Sequence, residues 1–451
     1  MPKLKKWATV LTLTLAVVLT AACGGGKSES SPSGNSESPA ASSSSTAPES
    51  GGNEVVKLSL WMNWKKGSAY TGMYYDRVQS FIQEYPNIKL TIEEIPYVDY
   101  KVRLQTAAAG NMLPDIMQFI SGGPLLETMA KSGALQPLRD EFVNEWKDKT
   151  IPAGMLKQFE VDGKQYGIPA ESNYGSIVFY NKDLLAQVGF NEFPTQFNDL
   201  LALVDALKAK GVTPIVVGNV KGEILTNSFF SIMSDRVLGA NAIPKLANGE
   251  YKLTDPEFIT VLQKLKELAD HEAFNEDANT IETIESVNRF IKGQAAIVID
   301  GSWTISQIVE GKPSFEVGVA NFPEIEGGKG SVTDMSSVTN QAVVINSKLE
   351  GQQLEAAETF IRYMFSEDLF KELVARSFPV TATNIEIPAD ANPIFKTMID
   401  MSKNATNISP NFENTMSTQA TTKMFSALQG LIMKGGLSPE QVAEDVQKTL
   451  K

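Results

Sequence analysis

One cysteine and one histidine restrict the chemistry open to this 451-residue chain. Cys23 lies near the N-terminus and His271 lies far from it, so the folded part holds no thiol–imidazole pair. Any Ser-His-Asp triad has to use His271. That residue stands in Leu268-Ala269-Asp270-His271-Glu272, near the end of a helical pattern, and reads as a solvated helix C-terminus. A zinc site would have to be built mostly from carboxylates. The acidic run 275–285 lacks the glycine and the oxygen spacing of a calcium loop. Glu326-Gly327-Gly328-Lys329-Gly330 lacks the spacing of a phosphate-binding loop and reads as a turn. The sequence therefore points to no metal and no cofactor. Carboxylates are plentiful, but glycoside hydrolysis needs two of them about 5–10 Å apart with one pKa raised. No local stretch sets two acids in that relation.

The N-terminus indicates export. Lys3, Lys5 and Lys6 precede an apolar run from Ala8 to Leu19 that is too short to span a bilayer comfortably, followed by Ala21, Ala22 and Cys23. That is the layout of a signal peptide over residues 1–22. Leu19-Thr20-Ala21-Ala22-Cys23 resembles a bacterial lipobox, with Thr20 where leucine is usual, and the resemblance implies acylation of Cys23. An exported chain with one unpaired thiol calls for such an explanation; the alternative is an ordinary cleaved signal with an incidental cysteine. From residue 23 to residue 53 the chain is almost all Gly, Ser, Pro, Ala and Glu, a composition that buries no core and reads as a tether. A flexible segment of that length spans on the order of 30 Å. Roughly 400 residues remain, which suggests two domains. Net charge is −13, and removal of residues 1–22 takes away three lysines and no acid, leaving −16. Such an acidic surface argues against nucleic acid as a partner.

Behind the tether, strand and helix patterns alternate. Val56 to Leu60 reads as a buried strand; Val78, Phe81, Ile82 and Tyr85 recur at helical spacing; Ile88, Leu90 and Ile92 alternate as a strand; Pro114 to Phe119 reads as a third strand. That order implies parallel pairing with helices on both faces, an α/β architecture. Further strands are expected at Ile177 to Tyr180, Ile215 to Val217, Ala295 to Ile299 and Val343 to Ile345. Thr195 is expected to cap a helix that Gly211 stops, and Asp255-Pro256 to open another. The last hundred residues read as helical, with Ser438 capping the final helix.

In order, Leu60-Trp61-Met62-Asn63, Leu113-Pro114-Asp115-Ile116, Gly133-Ala134-Leu135-Gln136-Pro137-Leu138, Gly167-Ile168-Pro169, Val178 through Leu185, Phe290 through Ala296, Gly301-Ser302-Trp303, Glu355-Ala356-Ala357 and Phe378-Pro379-Val380 resemble landmarks of the solute-binding proteins of sugar ABC importers, the group that includes maltodextrin-binding proteins. The resemblance runs from about residue 55 to the end. It implies a two-lobe, periplasmic-binding-protein-like fold with discontinuous domains and a ligand cleft between them. One lobe would comprise residues 54–167 and 338–388, and the other residues 168–337 and 389–451, with hinges at the crossovers. It further implies capture of a sugar, delivery to ABC permease subunits, no enzymatic activity, and a monomer held at the extracytoplasmic membrane face through Cys23. A polyamine or other non-sugar solute is the first alternative, and a glycoside hydrolase the second.

A sugar has an apolar C–H face that stacks on an aromatic ring and a hydroxyl edge that Asp, Glu and Asn satisfy. Candidate aromatics beside expected strand ends are Trp61, Trp64, Tyr174 and Trp303; candidate polar residues are Asn63, Lys65, Lys66, Asp115, Gln118, Glu171, Asp300 and Asp334. Trp61 could equally be core, Trp64 sits in an apparent exposed loop, and Asp115 could brace a turn. Trp303, at a strand-to-helix turn after Gly301-Ser302, is the leading candidate.

Overall fold

A computed structural model describes residues 55–450. The signal segment, Cys23 and the tether lie outside the described residues.

Thirteen strands form two main sheets and a small hairpin. The first sheet is built on β1 (Val56–Met62), β2 (Ile88–Glu94) and β3 (Ile116–Ser121), with β1 parallel to both of the others. The helices α1 (Gly72–Glu84) and α2 (Tyr97–Ala109) alternate with these strands. The short β4 (Leu135–Gln136) and the hairpin β5 (Glu160–Val161) with β6 (Lys164–Gln165) follow. The chain then leaves this sheet through β7 (Glu171–Gly175), which runs almost directly into β8 (Ile177–Asn181) of the second sheet. Ser176 between them adopts a left-handed backbone, φ 59°. The second sheet is completed by β9 (Thr213–Val216), β10 (Ala295–Asp300) and β11 (Val317–Ala320), in the order β11-β8-β10-β9. It is mixed: β10 is parallel to β9 but antiparallel to β8.

The return is made by β12 (Met335–Asn346), a strand of 12 residues of which only Val343 to Ile345 is evident in the sequence. Its first half pairs with β7, Ser336 opposite Gly175 through Asn340 opposite Glu171; its second half pairs antiparallel with β3. A last short strand, β13 (Ile408–Ser409), lies parallel to the start of β12. The expected crossovers at 167/168 and 337/338 thus fall beside and within the β7–β12 pairing, and the one at 388/389 falls just ahead of the helix Pro393–Lys403.

Separate cores lie against the sheets. Leu58, Leu60, Phe81, Val343, Phe360 and Phe370 belong to one packed on the first sheet; Leu200, Leu207, Phe229, Phe258, Ile297 and Met424 belong to the larger one packed on the second. The helix Pro256–Asp270 follows its expected pattern, with Phe258, Val261, Leu262 and Leu265 all buried. His271 ends that helix as its C-cap, and its Nδ1 lies 2.9 Å from Asp205. The final helix, Pro439–Gln447, has the expected Ser438 cap, completed by Gln441 as a reciprocal capping box. Thr195 does not cap its helix: Gln196 holds the cap position, because the Thr195 carbonyl accepts the Glu324 amide and ties this segment to the loop after β11.

That loop is secured by Arg236, a residue with no local sequence signal. Its guanidinium is fully buried and donates to the carbonyls of Phe322, Pro323, Val332 and Asp334, 86 to 98 residues away. Burial pulls its pKa down to about 10, with the Asp334, Asp235 and Glu324 carboxylates opposing. Hydrogen bonds from a charged group contribute about 1.5–3 kcal/mol each at most, and they share one desolvation penalty. Arg236→Met, which keeps the packing length, should therefore lower unfolding free energy by roughly 2–4 kcal/mol in urea denaturation; a loss below about 0.5 kcal/mol would show that the loop is held by its own turns.

Candidate functional site

β1 ends at Met62, and the turn that follows carries Asn63, Trp64, Lys65 and Lys66. Trp64 does not project from this loop. It is fully buried, stacked on Tyr74 at 5.0 Å, and its indole N–H donates to Gln341 Oε1 at 2.8 Å. The expectation of an exposed ring fails because its polar edge finds a partner 277 residues further along the chain. Lys65 and Lys66 do extend into solvent. The Asn63 amide donates to Gln118 Oε1 at 2.7 Å, which fixes the turn, and Asn63 Oδ1 is buried without a hydrogen-bond partner.

Several other candidates are braces or core. Asp115 Oδ2 accepts from the amide and the hydroxyl of Ser59, joining the starts of β3 and β1. Trp61 lies under the Arg103 guanidinium at 4.7 Å and packs with Tyr100 and Phe119 on the face of the sheet away from Trp64. Asp334 is buried and accepts from the Ser331 amide and from Asn407 Nδ2. The Tyr174 ring packs with Ile177, Phe179 and Val298.

The strand-to-helix turn after β10 is built as its residues suggest. Ser302 exchanges hydrogen bonds with the Tyr174 backbone, and the helix Thr304–Gly311 starts directly after Trp303. The Trp303 ring folds back over Gly301: a methyl there would stand 2.2 Å from it, so only glycine leaves room. Although Trp303 follows a strand of the second sheet, its half-buried ring packs on the core cluster of the first, the cluster that contains Trp64 and Tyr70. Beside it, Asp300 is buried; Oδ2 accepts from the Thr304 hydroxyl and Oδ1 has no partner. Burial, with a contribution from the Glu223 carboxylate, pushes Asp300 up to about 6.

Glu223 was not evident from the sequence, nor were Tyr97, Asn227 and Glu413. Tyr97 opens α2 with 54% of its surface exposed, yet its phenol is pushed well above the ordinary range by the Glu413 carboxylate first, then by burial, then by Glu223. The exposed ring thus stands near carboxylates of the second sheet's side. Glu413 accepts from Asn227 Nδ2 and lies 3.8 Å from Lys101 of α2. Asn227 is on Leu225–Phe230, a π-helical stretch of the kind that often re-aims side chains at functional sites. Glu223 accepts from the Thr283 hydroxyl. The elements of the two sheets also touch through Gln105 with Thr418 and Ser121 with Asn414.

The candidate cleft is the junction of the two sides, with Tyr97 and the Asn63 turn on the first and Trp303, Asp300, Glu223, Asn227 and Glu413 on the second. Its floor is polar and buried: Glu171 accepts from Tyr70, Tyr74 and Asn173. Two concavities of about 380 and 180 Å³ lie elsewhere, around Pro256 with Lys329 and around Asn275 with Arg289. Among the described residues no three His, Cys, Asp or Glu groups converge as a metal site, and no helix is long and apolar enough to cross a membrane.

A model of the bacterial extracellular solute-binding proteins matches residues 63–369. The chain belongs to this family. Its fold agrees: a chitin-oligosaccharide-binding protein superposes with TM-score 0.81 at 26% identity, over 88% of this chain and 98% of that one. A binding protein solved with raffinose gives 0.72 at 18% identity, over 88% and 98%. This solute-binding fold has two lobes, one on each sheet. Among relatives by sequence, an ABC-transporter extracellular-binding protein of Pyrococcus horikoshii is 24% identical over 277 residues, 60% of this chain and 61% of that one. A multiple sugar-binding protein of Streptococcus mutans is 25% identical over 297 residues, 64% and 66% of the two chains. The matched regions thus span just under two thirds of these two relatives.

Three buried carboxyls have raised pKa values: Glu171 from 4.5 to about 7, Asp235 and Asp300 from 3.8 to about 6, burial being the first cause in each. The folded protein therefore holds protons that the unfolded chain has released, and stability falls as pH rises from about 4 through these values. For Glu171 the whole shift corresponds to up to about 3 kcal/mol. Denaturant midpoints should be higher at pH 5 than at pH 8; a midpoint that rises across this interval would contradict the burial of these groups.

Proposed function

We propose that the cleft captures a sugar or oligosaccharide outside the cytoplasm and delivers it to the permease subunits of an ABC importer. The observation that carries this reading is the Trp303 turn. An aromatic face from the second sheet's lobe is set over the first, beside the buried Asp300 carboxyl, with the exposed Tyr97 ring on the first sheet's side. Such a surface offers a stacking plane for C–H groups and acceptors for hydroxyls. The names of the relatives, a multiple sugar-binding protein and a chitin-oligosaccharide-binding protein, support the same class of ligand. In this reading one lobe is residues 54–167 with 338–388 and the other residues 168–337 with 389–451, so that β7, the start of β12 and β13 join the first sheet from the second lobe; the chain has no catalytic role and acts as a monomer. The carboxylates of Glu223, Glu413 and Asp300 also suit a cationic solute, so a polyamine is the second reading.

A thermal-shift panel of mono- and oligosaccharides and polyamines separates the two readings, since ligand at about 100 times its dissociation constant adds about 2.7 kcal/mol. Stabilisation by polyamines alone would overturn the sugar reading, and cleavage of a labelled oligosaccharide would overturn the absence of catalysis. With a sugar that binds, Trp303→Ala should weaken affinity roughly 5- to 150-fold, the range of a buried aromatic anchor. Gly301→Ala should approach the same loss, because its methyl displaces the ring. Unchanged affinity in both variants by calorimetric titration removes Trp303 from the site.

The anchor is part of the same proposal: Cys23, the sole cysteine, carries the lipid that holds the protein at the outer membrane face. Cys23→Ala should move the protein from the membrane pellet to the soluble fraction; equal pelleting of the variant contradicts acylation there.

A further inference from the structure

Beneath the cleft the side-chain hydrogen bonds have a direction. On the first-sheet side, the Asn63 amide donates to Gln118 Oε1, Gln118 Nε2 donates to Gln341 Oε1, Gln341 Nε2 donates to the Tyr70 oxygen, and the Tyr70 hydroxyl donates to Glu171 Oε2. On the second-sheet side, the Tyr174 amide donates to Ser302 Oγ, the Ser302 hydroxyl donates to Asn173 Oδ1, and Asn173 Nδ2 donates to Glu171 Oε2. Each link lies between 2.7 and 3.1 Å. Both arms run from donor to acceptor toward one carboxylate. Tyr74 donates to its other oxygen. Glu171, Asn173, Gln118, Gln341 and Ser302 are all buried, and Asn63 and Tyr70 are half-buried.

The backbone is bent to permit this. Gln341 adopts φ 61° within β12, at the step between its pairing with β7 and its pairing with β3. A left-handed residue inside a strand is strained, and such strain persists where the surroundings over-determine it. Here the Gln341 side chain receives both Trp64 and Gln118 and donates to Tyr70.

We infer that Glu171 is a positioning residue: as the common acceptor of both arms, its ionised carboxylate holds the Asn63 turn of one lobe and the Ser302–Trp303 turn of the other in a fixed relation. This inference rests on the reading of those turns as cleft walls. A neutral carboxyl at position 171 is a weaker acceptor for both arms and adds a donor that only a phenol oxygen can take, so the hydroxyl of Tyr70 or Tyr74 has to turn round. The titratable groups that face Glu171 are the phenols of Tyr70 and Tyr74, both pushed well above the ordinary range by burial and then by the Glu171 charge; Glu372 acts on Tyr74 from further out. From β7, β12 and the Ser302 turn the facing groups are Asn173, Gln341 and Ser302, which carry no charge. Near neutral pH Glu171 is therefore the group that titrates.

The test needs no ligand. In amide NMR of the full chain, the Asn63 and Tyr174 resonances, at the far ends of the two arms, should titrate with one shared midpoint near pH 7. In Glu171→Gln both titrations should be lost. In Tyr70→Phe, which cuts the first arm and removes the 3.3 Å contact of Asn173 Nδ2 with the Tyr70 oxygen but leaves Asn173 on Glu171, Asn63 should stop titrating while Tyr174 continues; this variant decides the matter if Glu171→Gln does not fold. Separate midpoints, no titration in the wild type, or a response of Asn63 that survives Tyr70→Phe would each overturn the inference. If a sugar from the panel binds, its affinity should fall as pH drops through the same midpoint and lose that dependence in Glu171→Gln. If no sugar binds, the sugar reading fails while the amide titrations still decide the role of Glu171.

Discussion

The five-residue pairing of β7 with β12 is the constraint on which the rest of the molecule depends. These are the strands by which the chain passes from one sheet to the other and back, and much of their side-chain surface is polar: Glu171 stands opposite Asn340 and Ser172 opposite Thr339, all four buried, with the Thr339 hydroxyl alone among them lacking a partner. Buried polar groups need internal partners, since each one left unpaired costs on the order of 1–3 kcal/mol. Hydrophobic packing is non-directional and would accept many relative settings of the two sheets. A set of mutually satisfied donors and acceptors accepts few. The crossing is specified by hydrogen-bond geometry, while the apolar cores that supply most of the stability lie away from it on each sheet.

Glu171 shows what that arrangement costs. Three donors lower its pKa, yet burial outweighs them and the value ends near 7. A carboxylate with three good hydrogen bonds in a less buried place would be held well below the usual range. No salt-bridge partner accompanies Glu171 among the described residues, in contrast to the surface, where Arg362 with Glu145 and Arg289 with Asp277 form paired ions. The protein thus keeps an ionisable group where its charge is expensive. A purely stabilising design would replace the set with apolar side chains of equal volume. The polar set persists where two turns that flank the cleft have to be registered against each other.

Much of the fold was legible in the sequence because it rests on local periodicity. The strand–helix order of the first sheet, the buried stripe of Pro256–Asp270 and the Ser438 cap depend on residues a few positions apart, and the pattern carries them. The long β12 was not legible, because Met335-Ser336-Ser337-Val338-Thr339-Asn340-Gln341 reads as a polar loop; those side chains are buried only because partners arrive from β7, α1 and β3. Trp64 was misplaced for the same reason. Its exposure was inferred from polar neighbours in sequence, while Gln341 and Tyr74 bury it. Tyr97, Glu223, Asn227 and Glu413 carry no local signal, since the cleft joins segments more than a hundred residues apart.

The Trp303 turn shows how local and long-range requirements meet in one place. Gly301 is needed because the indole occupies the space of its missing side chain, and Ser302 because its hydroxyl joins the Tyr174 amide to Asn173. Either requirement alone would leave the ring free to choose among rotamers. Together they press it against the first sheet's cluster while its backbone stays with the second sheet. A ring held in this way loses little further entropy when a ligand stacks on it, so more of the contact energy is available for affinity. The same ring touches the opposite lobe, so any relative movement of the two sheets changes its packing. If the cleft binds as proposed, binding and the geometry of the crossing strands are therefore not separable: the Trp303 surface exists only at the relation of the sheets that the β7–β12 crossing sets.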